Sequence, residues 1–166
     1  HVGEAVLRPF GLTPLLCRYP RQIEIEVTNV CDKKCLLCEH TYWEEPSRNL
    51  KYDDFLKIIN NFPKLLWVNM TGEGDAFLNP DYLDMLRTLK ERDITTFLVD
   101  SFNRITPEIA DELVRIGIDG IHISFDGATK ETYETIKKGC DYESTIRNIQ
   151  YLLTKRGTKP IPEICF

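Results

Sequence analysis

Three cysteines lie close together in the stretch of the chain whose residue types are best suited to chemistry. Cys31, Cys35 and Cys38 fall within eight residues, directly after an alternating Ile-Glu-Ile-Glu-Val run. A spacing of three and then two intervening residues lets one loop bring three thiolates to one metal centre. Because the run offers no fourth cysteine, a cubane [4Fe-4S] cluster held here would keep one iron with an open position, where chemistry can occur.

Two other uses of these cysteines compete with the cluster. The three thiols together with His40 could form a closed Cys3His zinc site, because the ligand types and short separations fit structural zinc. On the cysteines alone, the cluster and the zinc site are equally favoured. A disulfide framework is less favoured, because clustered thiols without a secretion signal indicate an intracellular metal site. The remaining cysteines, which are predicted to be buried thiols, are Cys17, Cys140 and Cys165.

The length and composition are those of one globular domain. The chain has 166 residues, 42% of them hydrophobic, and 21 Lys and Arg against 26 Asp and Glu, which gives a net charge of −5. This charge argues against a broad nucleic-acid-binding face. No apolar run approaches the roughly 18 residues of a membrane span. We therefore expect a soluble, cytoplasmic protein that binds neither nucleic acid nor membrane.

After residue 22 the chain alternates strand signals with helix signals. Short apolar or β-branched runs predict five strands, and apolar residues at helical spacing predict one helix in each of the four gaps. Strands separated by helices pair as a parallel sheet with right-handed crossovers, which indicates a barrel or part of one. The predicted strands cover residues 23–28, 65–71, 95–101, 121–125 and 161–166.

The predicted fold class is α/β, a partial (βα) TIM-type barrel with the first four βα units and the start of strand five. Residues 1–22, in which proline and glycine recur without a sustained period, are predicted to be a lead-in that wraps the domain. Residues 23–166 are predicted to form the core. Because the chain stops inside the fifth strand and would leave a hydrophobic edge unpaired, we expect the sequence to be the first part of a longer fold.

The alternation of apolar and polar residues along the strands predicts which face of the sheet each side chain takes. Helices must cover the outer face, so the apolar alternate residues of the first and fourth strands should point outward to them. The polar set between them would line an open, wetted lumen, and the alternative for Glu24 and Glu26 is a solvent-exposed edge. The outward set is Ile23, Ile25, Val27, Ile121, Ile123 and Phe125, and the lumen set is Glu24, Glu26, Thr28, His122, Ser124 and Asp126.

Polar segments follow the first four predicted strands. The cysteine loop follows the first, Thr-Gly-Glu-Gly-Asp at 71–75 follows the second, Asp-Ser-Phe-Asn at 100–103 follows the third, and Ser-Phe-Asp-Gly at 124–127 follows the fourth. In βα folds the functional groups stand at the carboxyl ends of the strands. We therefore expect the four segments to share one rim and to form one site.

The sequence from about residue 21 onward resembles the radical S-adenosylmethionine (SAM) superfamily. The hallmark of that family is a Cys-x3-Cys-x2-Cys loop after the first strand, present here as Cys31, Cys35 and Cys38. Residues 77–81 and 124–133 are similar to segments of members close to the SPASM subgroup. The conjunction of these motifs in this order is far more specific than any one of them.

The second motif of the family is a Gly-Gly-Glu or Gly-Glu-Pro segment after the second strand. It maps best to Gly74-Asp75-Ala76, and Gly72-Glu73 is the other possible register. Asp75 is shorter than the usual Glu, and Ala76 replaces the usual Pro. The resemblance implies that glycine allows a close approach of the backbone to SAM and that Asp75 or Glu73 places negative charge beside its ammonium group.

The resemblance implies a radical enzyme. In this family three thiolates hold a [4Fe-4S] cluster that binds SAM, and one-electron reduction by a donor such as a flavodoxin or ferredoxin yields a 5′-deoxyadenosyl radical that abstracts hydrogen from substrate. The implied substrate is a peptide or a small molecule. The competing interpretation is a non-catalytic metal module, either the Cys3His zinc site or an iron–sulfur electron carrier. The implied metal ligands are Cys31, Cys35 and Cys38, and the implied SAM contacts are Gly72, Glu73, Gly74, Asp75, Ser124, Asp126 and Leu37, where the family commonly has an aromatic residue.

Overall fold

The computed structural model describes residues 19–166, so most of the predicted lead-in lies outside the described residues. In this part of the chain five parallel strands form one sheet in the order β1-β2-β3-β4-β5. The predicted α/β architecture of a partial barrel is confirmed. The strands are β1 (Gln22–Ile25), β2 (Trp67–Met70), β3 (Thr95–Asp100), β4 (Gly120–Ile123) and β5 (Glu163–Cys165).

Within residues 19–166, five α-helices connect the strands. Four lie where the apolar spacing predicts them, and the fifth, the short helix α4, was not predicted. None of the helices in this range is long and apolar enough to cross a membrane. The helices are α1 (Tyr52–Asn60), α2 (Tyr82–Glu91), α3 (Pro107–Ile116), α4 (Lys130–Ile136) and α5 (Tyr142–Arg156).

The two faces of the sheet follow the predicted alternation. Ile25 and Ile121 are buried in the core that lies between the sheet and the helices. The residues next to them along the chain are exposed on the opposite face of the sheet: Glu24, Glu26 and His122. Period-two alternation with one covered face therefore sets the register of the strands.

Thr28 is an exception to this pattern, because it is predicted to line the lumen and is only 3% exposed. The ordered pairing of β1 ends at Ile25, and Thr28 instead forms an isolated antiparallel bridge with Asn49. Its hydroxyl donates a hydrogen bond to Asn49 Oδ1 at 2.6 Å. The bridge holds the backbone that leads from β1 into the cysteine loop.

An aromatic pair covers the open face near the amino ends of the strands. The rings of Trp67 and Phe97 stack with centroids 4.4 Å apart, and the Phe97 ring lies where a Cβ on Gly120 would stand. The Trp67 indole N–H donates to Asn69 Oδ1 at 2.8 Å, and Asn69 Nδ2 donates to Glu24 Oε1 at 3.0 Å. This end of the open face is filled by side chains, so the space for a ligand lies toward the carboxyl ends of the strands.

Adjacent residues of β4 provide a test of the two faces. Ile123 is fully buried, so Ile123→Ala should lower the free energy of unfolding by about 2–5 kcal/mol. The neighbouring change His122→Ala, on the exposed face, should alter it by no more than about 0.5 kcal/mol. Urea denaturation of the two variants measures the difference, and equal losses would contradict the assignment of the faces.

Candidate functional site

A cavity of about 350 Å³ lies at the carboxyl ends of the strands. Its walls come from the cysteine loop, the glycine-rich segment after β2, the end of β3, and the segment after β4. All four predicted polar segments therefore contribute to one space. The predicted site residues that line it are Cys31, Cys35, Leu37, Cys38, Gly72, Glu73, Gly74, Asp75, Ser124 and Asp126, together with Asp100 and Ser101 of the predicted 100–103 segment, and the lining residues that were not predicted are Lys33, Val99, Ile136 and Lys137.

Backbone hydrogen bonds hold the cysteine loop against the end of α4. The Lys34 amide donates to the Lys138 carbonyl at 2.9 Å, and the Leu36 amide donates to the Ile136 carbonyl at 2.7 Å. These bonds satisfy loop amides that would otherwise be unpaired. The three thiols of the loop are half-buried as a result, with neither full exposure nor full burial.

Helix α4 was missed because its sequence has little apolar periodicity. Of its seven residues, only Tyr133 is fully buried, where its ring packs 4.8 Å from that of Phe125. The signal that was present is the cap: Thr129 Oγ1 accepts a hydrogen bond from the Thr132 amide at 3.3 Å. A capping threonine thus starts the helix that supports the cysteine loop.

A buried ion pair joins the cysteine loop to the segment after β2. Lys33 Nζ pairs with the carboxylate of Asp75, and the side chains of both are less than 5% exposed. Lys33 Nζ also lies 3.0 Å from Asp32 Oδ1, and Asp32 pairs with Arg104 from the loop after β3. Burial would lower the pKa of Lys33, but Asp75 and Asp32 outweigh it and raise that pKa above its usual range. Burial would likewise raise the pKa of Asp32, but Arg104 and Lys33 lower it to about 2, so Asp32 is ionised at neutral pH.

This pairing changes the expected use of the two acidic residues in the glycine-rich segment. Asp75 lines the cavity, but its carboxylate is held by Lys33 and by the Phe77 amide at 3.2 Å. Glu73 forms no ion pair among the described residues, and its Oε2 lies 3.6 Å from Cys38 Sγ. Of the two, Glu73 is therefore the carboxylate that remains available to a ligand.

Gly72 and Gly74 are required by the close approach of β1 and the loop that follows it. A Cβ on Gly72 would collide with the Glu26 side chain, and a Cβ on Gly74 would collide with the Thr28 carbonyl oxygen. Glu26 Oε1 in turn accepts a hydrogen bond from the Glu73 amide at 2.8 Å. The glycines thus allow the β2 segment to lie flat beside the cysteine loop.

A second buried lysine organises the opposite wall. Lys137 is 6% exposed, and its Nζ donates to Ser124 Oγ at 2.9 Å and pairs with Asp126 Oδ2 at 2.9 Å. Burial raises the pKa of the Cys35 thiol, while the ammonium groups of Lys137 and Lys33 act to lower it. Because a metal binds the thiolate, both lysines favour the form of Cys35 that a metal requires.

The geometry does not support a zinc site. His40, the proposed fourth ligand, has its Nε2 only 2.7 Å from the Asn29 carbonyl oxygen. Among residues 19–166, no three His, Cys, Asp or Glu side chains are grouped so that they could hold one metal ion. The three thiols instead line a shared cavity, which fits a cluster whose iron atoms each take a different thiolate.

The other cysteines have two different environments. Cys140 is 8% exposed, as predicted for a buried thiol. Cys165 is exposed, contrary to the prediction, because it lies on the face of β5 that the helices do not cover, with Sγ 3.4 Å from His122 Nδ1. Cys17 lies outside the described residues.

Asp100, at the end of β3, lies in a predicted polar segment, but the sequence did not indicate that its carboxyl group is buried. It lines the cavity and is only 7% exposed. Burial and the neighbouring charge of Asp75 raise the pKa of Asp100 from 3.8 to about 7, although the Phe102 amide, Lys33 and Lys137 act in the opposite direction. The Phe102 amide donates to Asp100 Oδ1 at 2.6 Å.

Comparison with known proteins agrees with this site. A family model described as Radical SAM superfamily matches residues 25–159, and the chain belongs to that superfamily. A curated relative, the tungsten-containing aldehyde ferredoxin oxidoreductase cofactor-modifying protein of Pyrococcus furiosus, is 26% identical over 166 residues, covering 87% of this chain and 47% of the relative. The mycofactocin maturase MftC of Mycobacterium tuberculosis is 25% identical over 129 residues, covering 76% of this chain and 33% of the relative.

Solved structures show the same fold. SuiB of Streptococcus suis bound to SAM has a TM-score of 0.70 at 18% identity, covering 92% of this chain and 37% of that one. The enzyme anSMEcpe with bound SAM has a TM-score of 0.69 at 19% identity, covering 87% of this chain and 43% of that one. The predicted cofactors, a [4Fe-4S] cluster and SAM, are those of the superfamily. The chain spans less than half the length of the curated relatives described above.

The Lys33–Asp75 pair predicts a large effect on stability. Lys33→Met leaves the buried Asp75 carboxylate with only the more distant Arg104 Nε, 3.7 Å away, as a cationic partner, so the free energy of unfolding should fall by an amount toward the lower end of roughly 3–5 kcal/mol. Lys34→Met, at the exposed neighbouring position, should change it by no more than about 0.5 kcal/mol. Urea denaturation of the metal-free protein at neutral pH measures both.

A double variant separates loss of the pair from loss of packing. Lys33→Met combined with Asp75→Leu leaves neither charge in the interior and should recover much of the lost stability. A double variant as unstable as the sum of the two single variants would show that the two groups do not interact.

Proposed function

We propose that this chain is the core of a radical SAM enzyme, with Cys31, Cys35 and Cys38 holding a [4Fe-4S] cluster. The observation that carries the proposal is that three half-buried thiols, a glycine-rich segment and the Ser124–Asp126 turn line one cavity in a chain of this superfamily. When bound, the cluster and SAM supply a carbon-centred radical that takes a hydrogen atom from the substrate.

In this proposal, residues of this chain position SAM beside the cluster and exclude water from it. We assign Glu73 to the positively charged methionine end of SAM, since Asp75 is occupied by Lys33. We assign Asp126 and Ser124 to the ribose hydroxyls of SAM. The Lys137 ammonium pairs with the Asp126 carboxylate and donates a hydrogen bond to the Ser124 hydroxyl. Leu37, which is 79% exposed beside the third cysteine, offers an apolar surface and a free backbone to the adenine.

The substrate that we favour is a peptide. Two observations on similar folds support this choice: a structure of SuiB bound to the precursor peptide SuiA and a structure of anSMEcpe with a bound peptide. The open face of the sheet beside the cavity carries the exposed carboxylates of Glu24 and Glu26. A peptide with basic side chains next to the modified residue would complement that face.

A small molecule is the second candidate for the substrate, because curated relatives include GTP 3′,8-cyclases. Turnover of neither basic nor acidic peptides would favour it, whereas equal turnover of both would contradict only the preference for basic side chains. In either case we propose a cytoplasmic enzyme that receives electrons from a flavodoxin or ferredoxin.

Anaerobic reconstitution with iron and sulfide tests the class of protein. The enzyme should bind about four iron atoms per chain. On reduction it should show an EPR signal that SAM perturbs, and it should form 5′-deoxyadenosine together with methionine. One tightly bound zinc without iron, or a reduced cluster indifferent to SAM, would leave a non-catalytic metal module as the explanation.

The cysteine assignment has a matched control within the chain. Cys35→Ala removes one of three thiolates and should abolish cluster assembly, because two thiolates cannot hold the cubane. Cys140→Ala removes a buried thiol outside the cavity lining and should leave the iron content unchanged. Iron and sulfide analysis of both proteins measures this, and a normal iron content in Cys35→Ala would contradict the assignment.

A further inference from the structure

The cavity holds more negative charge than its own cations neutralise. Four carboxylates line it, and two of them are paired with buried lysines: Asp75 with Lys33, and Asp126 with Lys137. The other two, Glu73 and Asp100, form no ion pair among the described residues. Glu73 is partly exposed and can be solvated, whereas Asp100 is 7% exposed and has little access to water.

The position of Asp100 is fixed by its surroundings. Its Oδ1 accepts a hydrogen bond of 2.6 Å from the Phe102 amide. The Asn148 Nδ2 group donates a hydrogen bond of 3.0 Å to the Phe102 carbonyl. Phe102 is fully buried in the left-handed region at φ 61°. A non-glycine residue rarely adopts that conformation, and residues strained in this way cluster where they serve a function. The strained turn keeps the carboxyl of Asp100 at the cavity wall.

Among residues 19–166, no further group that faces Asp100 neutralises it. Asp75, on the neighbouring segment, carries the same charge, and the two cations near it, Lys33 and Arg104, are paired with Asp75 and Asp32. Lys137 is committed to Asp126 on the opposite wall. The fully buried Tyr82 hydroxyl, from α2, has no hydrogen-bond partner within residues 19–166 and cannot neutralise a charge. A buried carboxylate without a cation is unfavourable, so the cavity is complementary to a ligand that brings positive charge.

SAM carries two such charges, an ammonium group and a sulfonium group, and one carboxylate. We propose that Asp100 is a second counter-charge, beside Glu73, for the cationic groups of SAM in this cavity, a role for which Asp75 is unavailable. This inference rests on the proposed function and adds to it a residue at the end of β3. The Asp100 carboxylate gains a cationic partner only when SAM is bound. It therefore strengthens the binding of SAM and does not stabilise the folded, ligand-free protein.

Asp100→Asn tests this role, because the amide keeps the hydrogen bond from Phe102 and removes only the charge. In the reconstituted protein, the affinity for SAM in equilibrium dialysis should fall by roughly tenfold to a hundredfold, while the iron content is unchanged. The affinity for 5′-methylthioadenosine, which has neither cationic group, should be unaffected. Asp53→Asn, at an exposed position on α1, is the matched control and should leave both affinities unchanged.

S-adenosylhomocysteine identifies which cation Asp100 meets. It retains the ammonium and lacks the sulfonium charge, so loss of its affinity in Asp100→Asn indicates the ammonium and unchanged affinity indicates the sulfonium. Unchanged affinity for SAM in Asp100→Asn would overturn the inference. So would an equal loss for 5′-methylthioadenosine, which would mean structural damage. A wild-type protein that binds no SAM would instead refute the proposed function.

Two measurements keep the test informative if the variant binds poorly for structural reasons. Asp100→Asn removes a like charge beside Asp75, so the ligand-free variant should be at least as stable as the wild type at pH 8, whereas a structural role predicts a loss. In the wild type, affinity for SAM should rise as Asp100 ionises through about pH 7, and affinity for 5′-methylthioadenosine should not. Equal pH dependence of the two affinities would count against the assignment.

Discussion

The buried ion pair of Lys33 and Asp75 is the contact on which the geometry of the cavity depends. It joins the loop that carries the three thiols to the segment after β2, and through Asp32 it reaches Arg104 in the loop after β3. A backbone hydrogen bond of 2.8 Å from the Asp75 amide to the Val30 carbonyl also joins the first two segments. Moving the cysteine loop away from the segment after β2 would separate the buried charges of Lys33 and Asp75, whereas Asp32 and Arg104 are both partly exposed to solvent. The buried pair is therefore the stronger of the two links, and the contact with the loop after β3 is the weaker one.

The same pair gives Asp75 a structural role. Lys33 comes from within the cysteine loop itself and pairs with the buried carboxylate of Asp75 in the segment after β2. Asp75 is thereby committed to the structure, and a ligand in the cavity must find its counter-charge elsewhere. Lys137 does the same for Asp126 on the opposite wall. Both lysines thus set the shape of the cavity and decide which carboxylates remain free.

Sequence reasoning identified the strand order, the exposed and covered faces, and the segments that meet at the rim, because period-two alternation and the position of polar residues after strands are local signals. It missed features that depend on distant partners. Lys33 lies among charged residues and resembles a solvated side chain, and its partner is 42 residues away. Asp100 was noticed as part of a polar segment, but its burial follows from the packing of Phe102 and Tyr82 around it. Helix α4 contributes one fully buried side chain, which is too few to give a helical period.

An unpaired buried carboxyl links the stability of the domain to occupancy of the site. The pKa of Asp100 in the folded chain lies above its ordinary value, so its contribution to stability is present below about pH 3.8 and is lost as the pH rises through about 7. At neutral pH and above, the empty cavity therefore retains an unfavourable charge that a cationic ligand removes. Ligand binding should then raise the free energy of unfolding, because a ligand that binds only the folded state stabilises that state by mass action. If Asp100 has the proposed role, the stability that its ionisation costs the ligand-free domain is regained when SAM binds, and a neutral nucleoside would not restore it.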